Sequence, residues 1–285
     1  MRPQLSHHHQ FHASPHLTIP AADHFASSRP KESQNATRKL PDCIIIGARK
    51  GGTRAVSHFL KKNPKIITTD TEVNFFGDDT NYAKGIPYLT SLFPKIRPDQ
   101  ILIDKTADYF TAWSVPQRLH EYNKDIKLIL VVRDPITRCI SDYHFLRRFA
   151  ERELLVDPDT GQIQYDFGGL YRSKYSKFFE NWLKYFKLSQ IHIVDGDKLA
   201  NENPALQLRK IEKFLGVEAV IQEEEFYYLE DKKYWCSRTM GCLGSEKGHI
   251  FPTIDPAVET KIRQFLKPFN ENFYNQTGIN FGWKT

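Results

Sequence analysis

A short glycine-rich segment with embedded basic side chains is the first place where this sequence could do chemistry. The segment Gly47–Arg54 reads GARKGGTR and follows an apolar run. Glycines after a strand let backbone amides approach an anion closely, and a helix that starts there adds the positive end of its dipole. Because Lys50 and Arg54 add full charges, the segment predicts a phosphate-binding loop. An ordinary tight turn with solvated bases is the alternative.

A second anion-binding side chain is predicted at the end of the apolar run Leu128–Val132. Arg133 follows this run directly, and Ser141 lies early in the helical pattern that comes next. In open α/β sheets, ligands bind beyond the carboxyl ends of the strands, so we expect Arg133 to lie near the glycine-rich loop. Two such sites would hold one nucleotide that carries phosphates at both ends.

The glycine-rich loop does not match the loop of nucleoside triphosphatases. Their motif, GxxxxGK[ST], needs a lysine directly after the second glycine, whereas here Gly52 is followed by Thr53 and Lys50 precedes both glycines. Asp134, which precedes a proline, fits a turn as well as it fits a magnesium ligand. An ATP or GTP hydrolase, or a kinase, is therefore disfavoured.

Strand-like and helical patterns alternate from Pro41 onward. The predicted strands are Cys43–Ala48, Lys65–Thr69, Ile101–Thr106, Lys127–Val132 and Ile191–Val194. The predicted helices are Thr53–Lys62, Tyr82–Leu92, Val115–Tyr122, Ile136–Ala150, Tyr171–Phe186, Ala205–Leu215 and Asp255–Leu266. This alternation predicts an α/β fold, with a mostly parallel central sheet and helices on both faces. The polar and aromatic stretch Glu218–Pro252 breaks the rhythm and predicts a long ordered loop.

The first 40 residues are predicted to lie outside this fold. They form a tail rich in His, Ser and Pro, whose composition predicts disorder, and residues 41–285 form one domain. The chain carries 40 Lys and Arg against 34 Asp and Glu, and the resulting net charge of +6 suggests an anionic partner. Half of that excess lies in the tail, so the placement of individual bases carries more weight than their sum.

Cysteine and histidine spacing predicts no metal site. Cys236 and Cys242 lack the CxxC spacing of zinc sites, but they could close a short disulfide in an oxidising compartment. Glycosylation sequons begin at Asn35 and Asn275 and agree with secretion. No apolar run is long enough to span a membrane, and the first 30 residues lack the apolar region of a secretory signal.

Taken together, the motifs in order along residues 41–285 resemble the heparan sulfate glucosamine 3-O-sulfotransferase family. The motifs that carry the resemblance are Lys50-Gly51-Gly52-Thr53-Arg54, Glu72 before Phe75-Phe76, Lys105-Thr106 before Tyr109-Phe110, Val132-Arg133-Asp134-Pro135, Ser141-Asp142-Tyr143, Asn181-Trp182-Leu183 and Ile191–Asp197. Each motif alone is modest, but the ordered set is specific. The resemblance implies a sulfotransferase fold with a loop like that of P-loop proteins.

By resemblance, the reaction transfers a sulfuryl group from 3′-phosphoadenosine 5′-phosphosulfate to the 3-hydroxyl of glucosamine in heparan sulfate, without a metal. Glu72 would be the general base, and Lys50 and Lys105 would stabilise charge. The implied donor contacts are Lys50, Gly51, Gly52, Thr53, Arg54, Arg133, Ser141, Trp235, Lys247, Gly248 and His249. The implied acceptor contacts are Glu72, Asn74, Phe75, Phe76, Lys105 and Thr106.

The resemblance also implies a compartment and partners. It implies a glycoprotein of the Golgi lumen, or a secreted one, with a disulfide between Cys236 and Cys242, acting on heparan sulfate and not on nucleic acid. The family's usual amino-terminal membrane anchor is not visible, which predicts either a soluble product or a missing start. Candidate contacts for the polyanionic chain, with a solvated helix face as the alternative, are Arg147, Arg148, Arg172 and Lys174.

Some positions depart from the family's pattern. Asn74 and Gly77 stand where the family usually has His and Asp, and His249 stands where it usually has Arg. Asp108 adds an acid where a polyanion should approach. These departures keep open a second hypothesis, in which the chain is a weakly active or inactive relative that binds the sulfonucleotide or the polysaccharide.

Overall fold

The core of the protein is a parallel sheet of five strands, seen in a computed structural model that describes residues 35–146, 155–157, 159–244 and 254–284. The strands in these residues are β1 Thr37–Arg38, β2 Cys43–Gly47, β3 Ile66–Thr68, β4 Lys95–Ile96, β5 Ile101–Lys105, β6 Lys127–Val132, β7 Ile191–Asp195, β8 Phe226–Leu229 and β9 Tyr234–Ser237. The central sheet has the order β3-β5-β2-β6-β7, and each neighbouring pair is parallel. The predicted parallel sheet is confirmed.

Helices cover both faces of this sheet, as predicted. They are α1 Thr53–Leu60, α2 Asp79–Tyr82, α3 Gly85–Ser91, α4 Val115–Tyr122, α5 Pro135–Leu146, α6 Gly168–Arg172, α7 Tyr175–Leu183, α8 Gly196–Asn201, α9 Ala205–Leu215 and α10 Pro256–Thr277. On one face Ile44 and Ile46 pack with Phe110 and Trp182, and on the other Ile45 packs with residues of α1 and α9. No helix in the described residues is long and apolar enough to cross a membrane.

The parallel direction of the strands brings the ends of distant segments together. The glycine-rich loop follows β2, Glu72 lies just beyond β3, Lys105 ends β5, Arg133 follows β6 and Gly196 follows β7. Because the carboxyl ends of parallel strands meet at one edge of a sheet, all five segments emerge at that edge.

Two predicted helices are each divided in two. The pattern Tyr171–Phe186 forms α6 and α7, which are separated at Ser173 because its buried hydroxyl donates to the carbonyl of Pro135 (2.9 Å) and accepts from Arg138 (2.8 Å). The pattern Tyr82–Leu92 forms α2 and α3, which are divided before Gly85, a residue with a φ of 75°. A left-handed conformation is accessible to glycine but ends a regular helix.

Other elements also differ from the sequence-based prediction. The helix expected to end at Leu266 continues as α10 through Pro268 to Thr277, because Phe273 beyond the proline is wholly buried against α7. Helix α8 was not predicted; Asp195 caps it by accepting from the backbone amides of the two residues after Gly196. Within the predicted tail, β1 pairs with β4, so ordered structure begins before residue 41.

The stretch Glu218–Pro252, predicted as a loop, contains the antiparallel hairpin β8–β9 within its described part. Aromatic residues favour strands, and a short turn joins two aromatic runs. The predicted disulfide between Cys236 and Cys242 is confirmed, with an S–S distance of 2.09 Å. Glu225, which directly precedes β8, accepts hydrogen bonds from Ser237 and Thr239 and forms an ion pair with Lys62 after α1 (2.9 Å). This carboxylate therefore ties the hairpin to the sheet-covering helix α1.

We expect Glu225→Gln to lower the free energy of unfolding by about 1–3 kcal/mol near neutral pH, since it leaves charge-assisted hydrogen bonds unmade. Burial raises the pKa of Glu225, but hydrogen bonds from Ser237, Thr239 and Lys62 outweigh it and lower the pKa to about 2, from 4.5. The carboxylate's contribution is therefore complete above pH 4.5 and is lost as the pH falls towards 2.

The measurement is urea-induced unfolding of the wild type and the variant at about pH 6 and about pH 3, where the difference between them should be smaller at the lower pH. The exposed neighbour Glu224 provides the control, because Glu224→Gln should change stability by less than about 0.5 kcal/mol. A Glu225→Gln difference that is the same at both pH values would contradict this account.

Candidate functional site

The loop between β2 and α1 packs tightly against the neighbouring strand β6. The backbone amide of Ala48 donates to the carbonyl of Val131 (2.8 Å), and the amide of Gly51 donates to the carbonyl of Ala48 (2.8 Å). A Cβ atom at Gly51 would lie 2.3 Å from the Val131 carbonyl oxygen, so a side chain cannot fit there. Glycine at this position is therefore a packing requirement.

The loop leads into α1 with its helix start facing beyond the sheet edge. Gly52, at the N-cap, has a φ of 113°, and no side chain in the described residues caps this helix. The first amides of a helix have no partner within the helix, and its dipole favours negative charge there. Thr53 is nearly buried and Arg54 is exposed on this first turn. This geometry suits an anion such as a phosphate.

The basic side chains of the loop are held by helix α5. The Lys50 ammonium lies 4.6 Å from the centroid of the Phe145 ring, and the Arg49 guanidinium lies 5.1 Å from the same centroid. Cation–π contact of this kind orients a cation without neutralising its charge. Lys50 itself has a φ of 65°, a conformation that a residue with a side chain rarely adopts.

Asp142, on α5, joins the loop to helix α6. Its wholly buried carboxylate lies 3.1 Å from Arg49, 3.1 Å from Arg138 and 3.2 Å from Arg172. Arg138 is wholly buried as well, and it also donates to the carbonyl of Arg49 (3.4 Å) and to Ser173. One carboxylate thus contacts three guanidinium groups, and through Arg138 it fixes the loop backbone to α5.

The second predicted anion site lies against the same loop. A Cβ atom at Gly196 would lie 2.3 Å from the Gly51 carbonyl oxygen and 2.8 Å from Cγ of Arg133, so these three residues are in close contact. The Arg133 guanidinium forms an ion pair with Asp197 at the start of α8 (3.0 Å). Ser141 is buried on α5, next to the residue that binds Arg49. The structure therefore brings Arg133 and the loop together, as expected.

Glu72, in the segment after β3, and Lys105, at the end of the neighbouring strand β5, meet at the sheet edge. The Lys105 ammonium lies 2.7 Å from a carboxylate oxygen of Glu72; the Lys105 side chain is 10% exposed and that of Glu72 is 37% exposed. The lysine is therefore held below the surface while the carboxylate reaches solvent. A half-exposed carboxylate beside a fixed cation can accept a proton from a ligand hydroxyl.

Beneath this pair, a buried carboxyl supports the segment that carries Glu72. Burial raises the pKa of Asp104 to about 6, although Thr69 donates a hydrogen bond to it (3.2 Å). The Thr106 hydroxyl lies 3.5 Å from Asp104 and accepts from the backbone amide of Asn74 (3.3 Å). The backbone after Glu72 is thereby tied to the end of β5.

Three residues assigned to acceptor contact from the sequence are core residues instead. Phe75 and Phe76 are buried and contact each other edge to face, with ring centroids 5.0 Å apart, and Thr106 is 1% exposed. The amide of Phe76 also donates to the Tyr109 hydroxyl (3.1 Å). Their side chains cannot contact a polysaccharide because no surface of them is open. They position the segment that carries Glu72. Asn74, which directly precedes the two phenylalanines, is exposed.

The remaining predicted residues are spread over described and undescribed parts. Trp235 lies half-buried in β9, with its ring 5.3 Å from that of Tyr228. Asp108, the unexpected acid, lies 3.5 Å from Arg49, so its charge is partly compensated. The predicted residues outside the described part of the chain are Arg147, Arg148, Lys247, Gly248 and His249.

The sequence-based reasoning did not assign roles to Asp142, Arg49, Arg138 and Gly196. The spacing of Arg138 and Asp142, four residues apart on a predicted helix, was the available signal for an ion pair. The residues next to Gly196 in the sequence do not indicate its packing role, because its contacts are with Gly51 and Arg133 from distant segments. Among the described residues, no group of three or more His, Cys, Asp and Glu side chains could hold a metal ion.

Comparison with known proteins gives consistent matches over most of the chain. A family model described as the sulfotransferase domain matches residues 40–251. Heparan sulfate glucosamine 3-O-sulfotransferase 5 of Mus musculus is 40% identical over 259 residues, covering 86% of this chain and 75% of that protein. The Homo sapiens protein of the same name is 38% identical over 271 residues, covering 90% of this chain and 78% of that protein.

A solved structure supports the fold. The sulfotransferase from Alicyclobacillus acidocaldarius superposes with a TM-score of 0.65 at 17% sequence identity, over 87% of this chain and 100% of that chain. At this identity the likeness concerns the fold alone. The five-stranded parallel sheet with its flanking helices is thus a sulfotransferase fold.

We expect Asp142→Asn to lower the free energy of unfolding by about 3–5 kcal/mol, because it leaves the buried Arg138 without its counter-charge. Asp108→Asn is the matched control: it removes the other acid near Arg49, but from an exposed position, and should cost at most about 1 kcal/mol. Urea-induced unfolding of both variants provides the measurement. Equal losses in the two variants would show that Asp142 does not have the role described.

Proposed function

Because the chain belongs to the heparan sulfate glucosamine 3-O-sulfotransferase family, we propose that it transfers a sulfuryl group from 3′-phosphoadenosine 5′-phosphosulfate to the 3-hydroxyl of glucosamine in heparan sulfate. The observation that carries this proposal is the Glu72–Lys105 pair, 2.7 Å apart, at the same sheet edge as the glycine-rich loop. A proton acceptor and an anion site at one edge are the parts that this reaction needs. They favour an enzyme over the inactive relative considered above.

The loop and its neighbours fit the donor. The space that a Cβ at Gly51 or Gly196 would fill is occupied by backbone, so the loop lies flat on the sheet and the first turn of α1 faces outward. In the proposal, the amides from Gly52 to Arg54 bind the 5′-phosphosulfate, and Lys50 stabilises the charge that builds on the leaving phosphate oxygen. Such fixed donors act where charge develops in the transition state.

The 3′-phosphate of the donor is assigned to Arg133 and Ser141. The Arg133 guanidinium is held by Asp197 through Nε, and its close contact with Gly196 keeps it beside the loop. A second site for the second phosphate fixes the donor at both ends, which orients the sulfuryl group for in-line displacement. Trp235, Lys247, Gly248 and His249 complete the proposed donor contacts.

The acceptor side is assigned to Glu72, Lys105 and the exposed Asn74. In the proposed step the glucosamine 3-hydroxyl loses its proton to a Glu72 oxygen, its oxygen bonds to sulfur, and the bond from sulfur to the phosphate oxygen breaks. Lys105, already next to Glu72, stabilises the negative charge of the transferring sulfuryl group. Asn74 can hydrogen-bond a sugar hydroxyl but cannot relay a proton as a histidine would.

The proposed compartment is the Golgi lumen or the exterior of the cell. The disulfide between Cys236 and Cys242 supports an oxidising compartment. Asn35 and Asn275, the proposed glycosylation sites, are both exposed, the second on α10. Both observations agree with a glycoprotein that meets heparan sulfate during or after its synthesis.

We expect Glu72→Gln to reduce sulfuryl transfer into heparan sulfate by about 10²–10⁴-fold, because the amide cannot accept the hydroxyl proton. Donor affinity should be unchanged, since Glu72 lies on the acceptor side. The measurement is transfer of radioactive sulfur from labelled donor to heparan sulfate, together with equilibrium binding of the donor product. Asp70→Asn, at an exposed acid two residues earlier, is the matched control and should retain transfer. Near-wild-type turnover of Glu72→Gln would remove this residue from the mechanism.

We expect Arg133→Ala to weaken binding of 3′-phosphoadenosine 5′-phosphate by about 10–100-fold, since a charge-assisted hydrogen bond contributes about 1.5–3 kcal/mol. The probe lacking the 3′-phosphate, adenosine 5′-phosphate, should bind wild type and variant alike. Calorimetric titration with the two nucleotides gives the comparison. An equal loss for both would indicate that Arg133 does not bind the 3′-phosphate.

A further inference from the structure

A strip of aromatic rings lies on the surface beside the candidate site. Trp113 is 48% exposed, and its indole nitrogen donates to the Tyr171 hydroxyl (3.4 Å). Both rings pack on the buried Phe178, with centroid distances of 5.6 Å for Trp113 and 5.2 Å for Tyr171. The rings are therefore held from below, while the indole presents open surface.

Two lysines lie over the same rings. The Lys177 ammonium is 5.1 Å from the centroid of Tyr171 and 5.8 Å from that of Trp113, and the Lys174 ammonium is 5.5 Å from that of Tyr171. Burial lowers the pKa of Lys174, and the neighbouring charge of Lys177 adds to this effect. Two cations held close together on aromatic faces favour a ligand that is itself negatively charged.

The strip adjoins the proposed site through the segment after β5. Phe110 contacts the start of the glycine-rich loop, since a Cβ at Gly47 would lie 2.6 Å from Cβ of Phe110. Trp113 follows three residues later, and its carbonyl accepts from the buried Asn181 of α7 (3.0 Å). Arg172, next to Tyr171, contacts the Asp142 carboxylate that holds the loop. The strip is thus linked to the glycine-rich loop and lies on the segment that follows Lys105 at the end of β5.

We propose that Trp113, Tyr171, Lys174 and Lys177 form a subsite for sugars of the acceptor chain beyond the glucosamine that reacts. This inference rests on the proposed function and names the part of the substrate that the strip binds. In the proposal, the open surface of the Trp113 indole accepts the C–H face of a sugar ring, and Tyr171 holds the indole and the lysines, which pair with sulfate or carboxylate groups on neighbouring units. Arg172, a candidate from the sequence, is committed to Asp142 and is not part of the strip.

The charge pattern selects a sulfated polysaccharide over an apolar partner. A large apolar docking surface would lack cations at its centre, whereas here the two lysines stand over the rings themselves. A polyanion that binds such cations releases counterions, so its affinity falls as salt rises. The aromatic contacts add a part of the affinity that does not depend on salt.

The test is equilibrium binding of the full chain to immobilised heparan sulfate and to a sulfated disaccharide over a range of salt concentrations. Lys177→Ala should weaken binding of the long chain by about two- to fivefold and lower the slope of log affinity against log salt by about one. Trp113→Ala should weaken binding by about tenfold without changing that slope, while Trp113→Phe should retain most of the affinity. Binding of the disaccharide, which offers little beyond the reacting glucosamine, should change little in each variant.

The matched control is Lys210→Ala, which removes an exposed lysine on α9, a helix that packs on the opposite face of the sheet from Phe178, and it should bind like wild type. Long-chain affinities equal to wild type in both Trp113→Ala and Lys177→Ala would overturn the subsite. Equal losses for the long chain and the disaccharide would also overturn it, because they would place these residues at the reacting sugar. Absence of sulfuryl transfer by wild type would instead count against the proposed function, and the binding comparison separates the two failures.

Discussion

The contact of the glycine-rich loop with the carboxyl end of β6 is the constraint on which the rest of the site depends. Residue 51 has no room for a side chain between its own backbone and the Val131 carbonyl, and Gly196 meets the same loop from the β7 side. These two glycines let backbone lie directly on backbone. As a result the first turn of α1 and Lys50, which follow β2, converge with Arg133, which follows β6.

Charge acts in this protein through placement and compensation. A net charge of +6 says little about a ligand, because some of the basic groups at the loop, Arg49 and Arg133, are paired with acids. The wholly buried carboxylate of Asp142 contacts three arginines, and Asp197 accepts a hydrogen bond from Nε of Arg133. Buried pairs of this kind contribute geometry more than net stability. In our proposal, these ion pairs fix the cations that contact the donor, and the surface lysines bind the polysaccharide.

The sequence predicted the sheet, most helix positions and the proximity of Arg133 to the loop, because apolar periodicity and the rule for parallel strands determine these features. Glu72 and Lys105 were identified as site residues only through the family resemblance. The sequence did not predict the break at Ser173, which depends on a hydrogen bond to Arg138 from a distant helix. It did not predict the hairpin β8–β9, because the two aromatic strands are short and the residues around them are polar. By resemblance, Phe75 and Phe76 were named as acceptor contacts, whereas both side chains are buried, because aromatic residues near a site look alike in sequence whether they bind ligand or fill the core.

In our proposal, the Glu72 carboxylate and the Lys105 ammonium at the sheet edge direct sulfuryl transfer to one hydroxyl. The most direct measurement is to incubate the protein with 3′-phosphoadenosine 5′-phosphosulfate, labelled in its sulfur, and heparan sulfate, and then to locate the label by analysis of the resulting disaccharides. We expect the label on the 3-hydroxyl of glucosamine. Label at another position, or donor binding with no label in the polysaccharide, would contradict it.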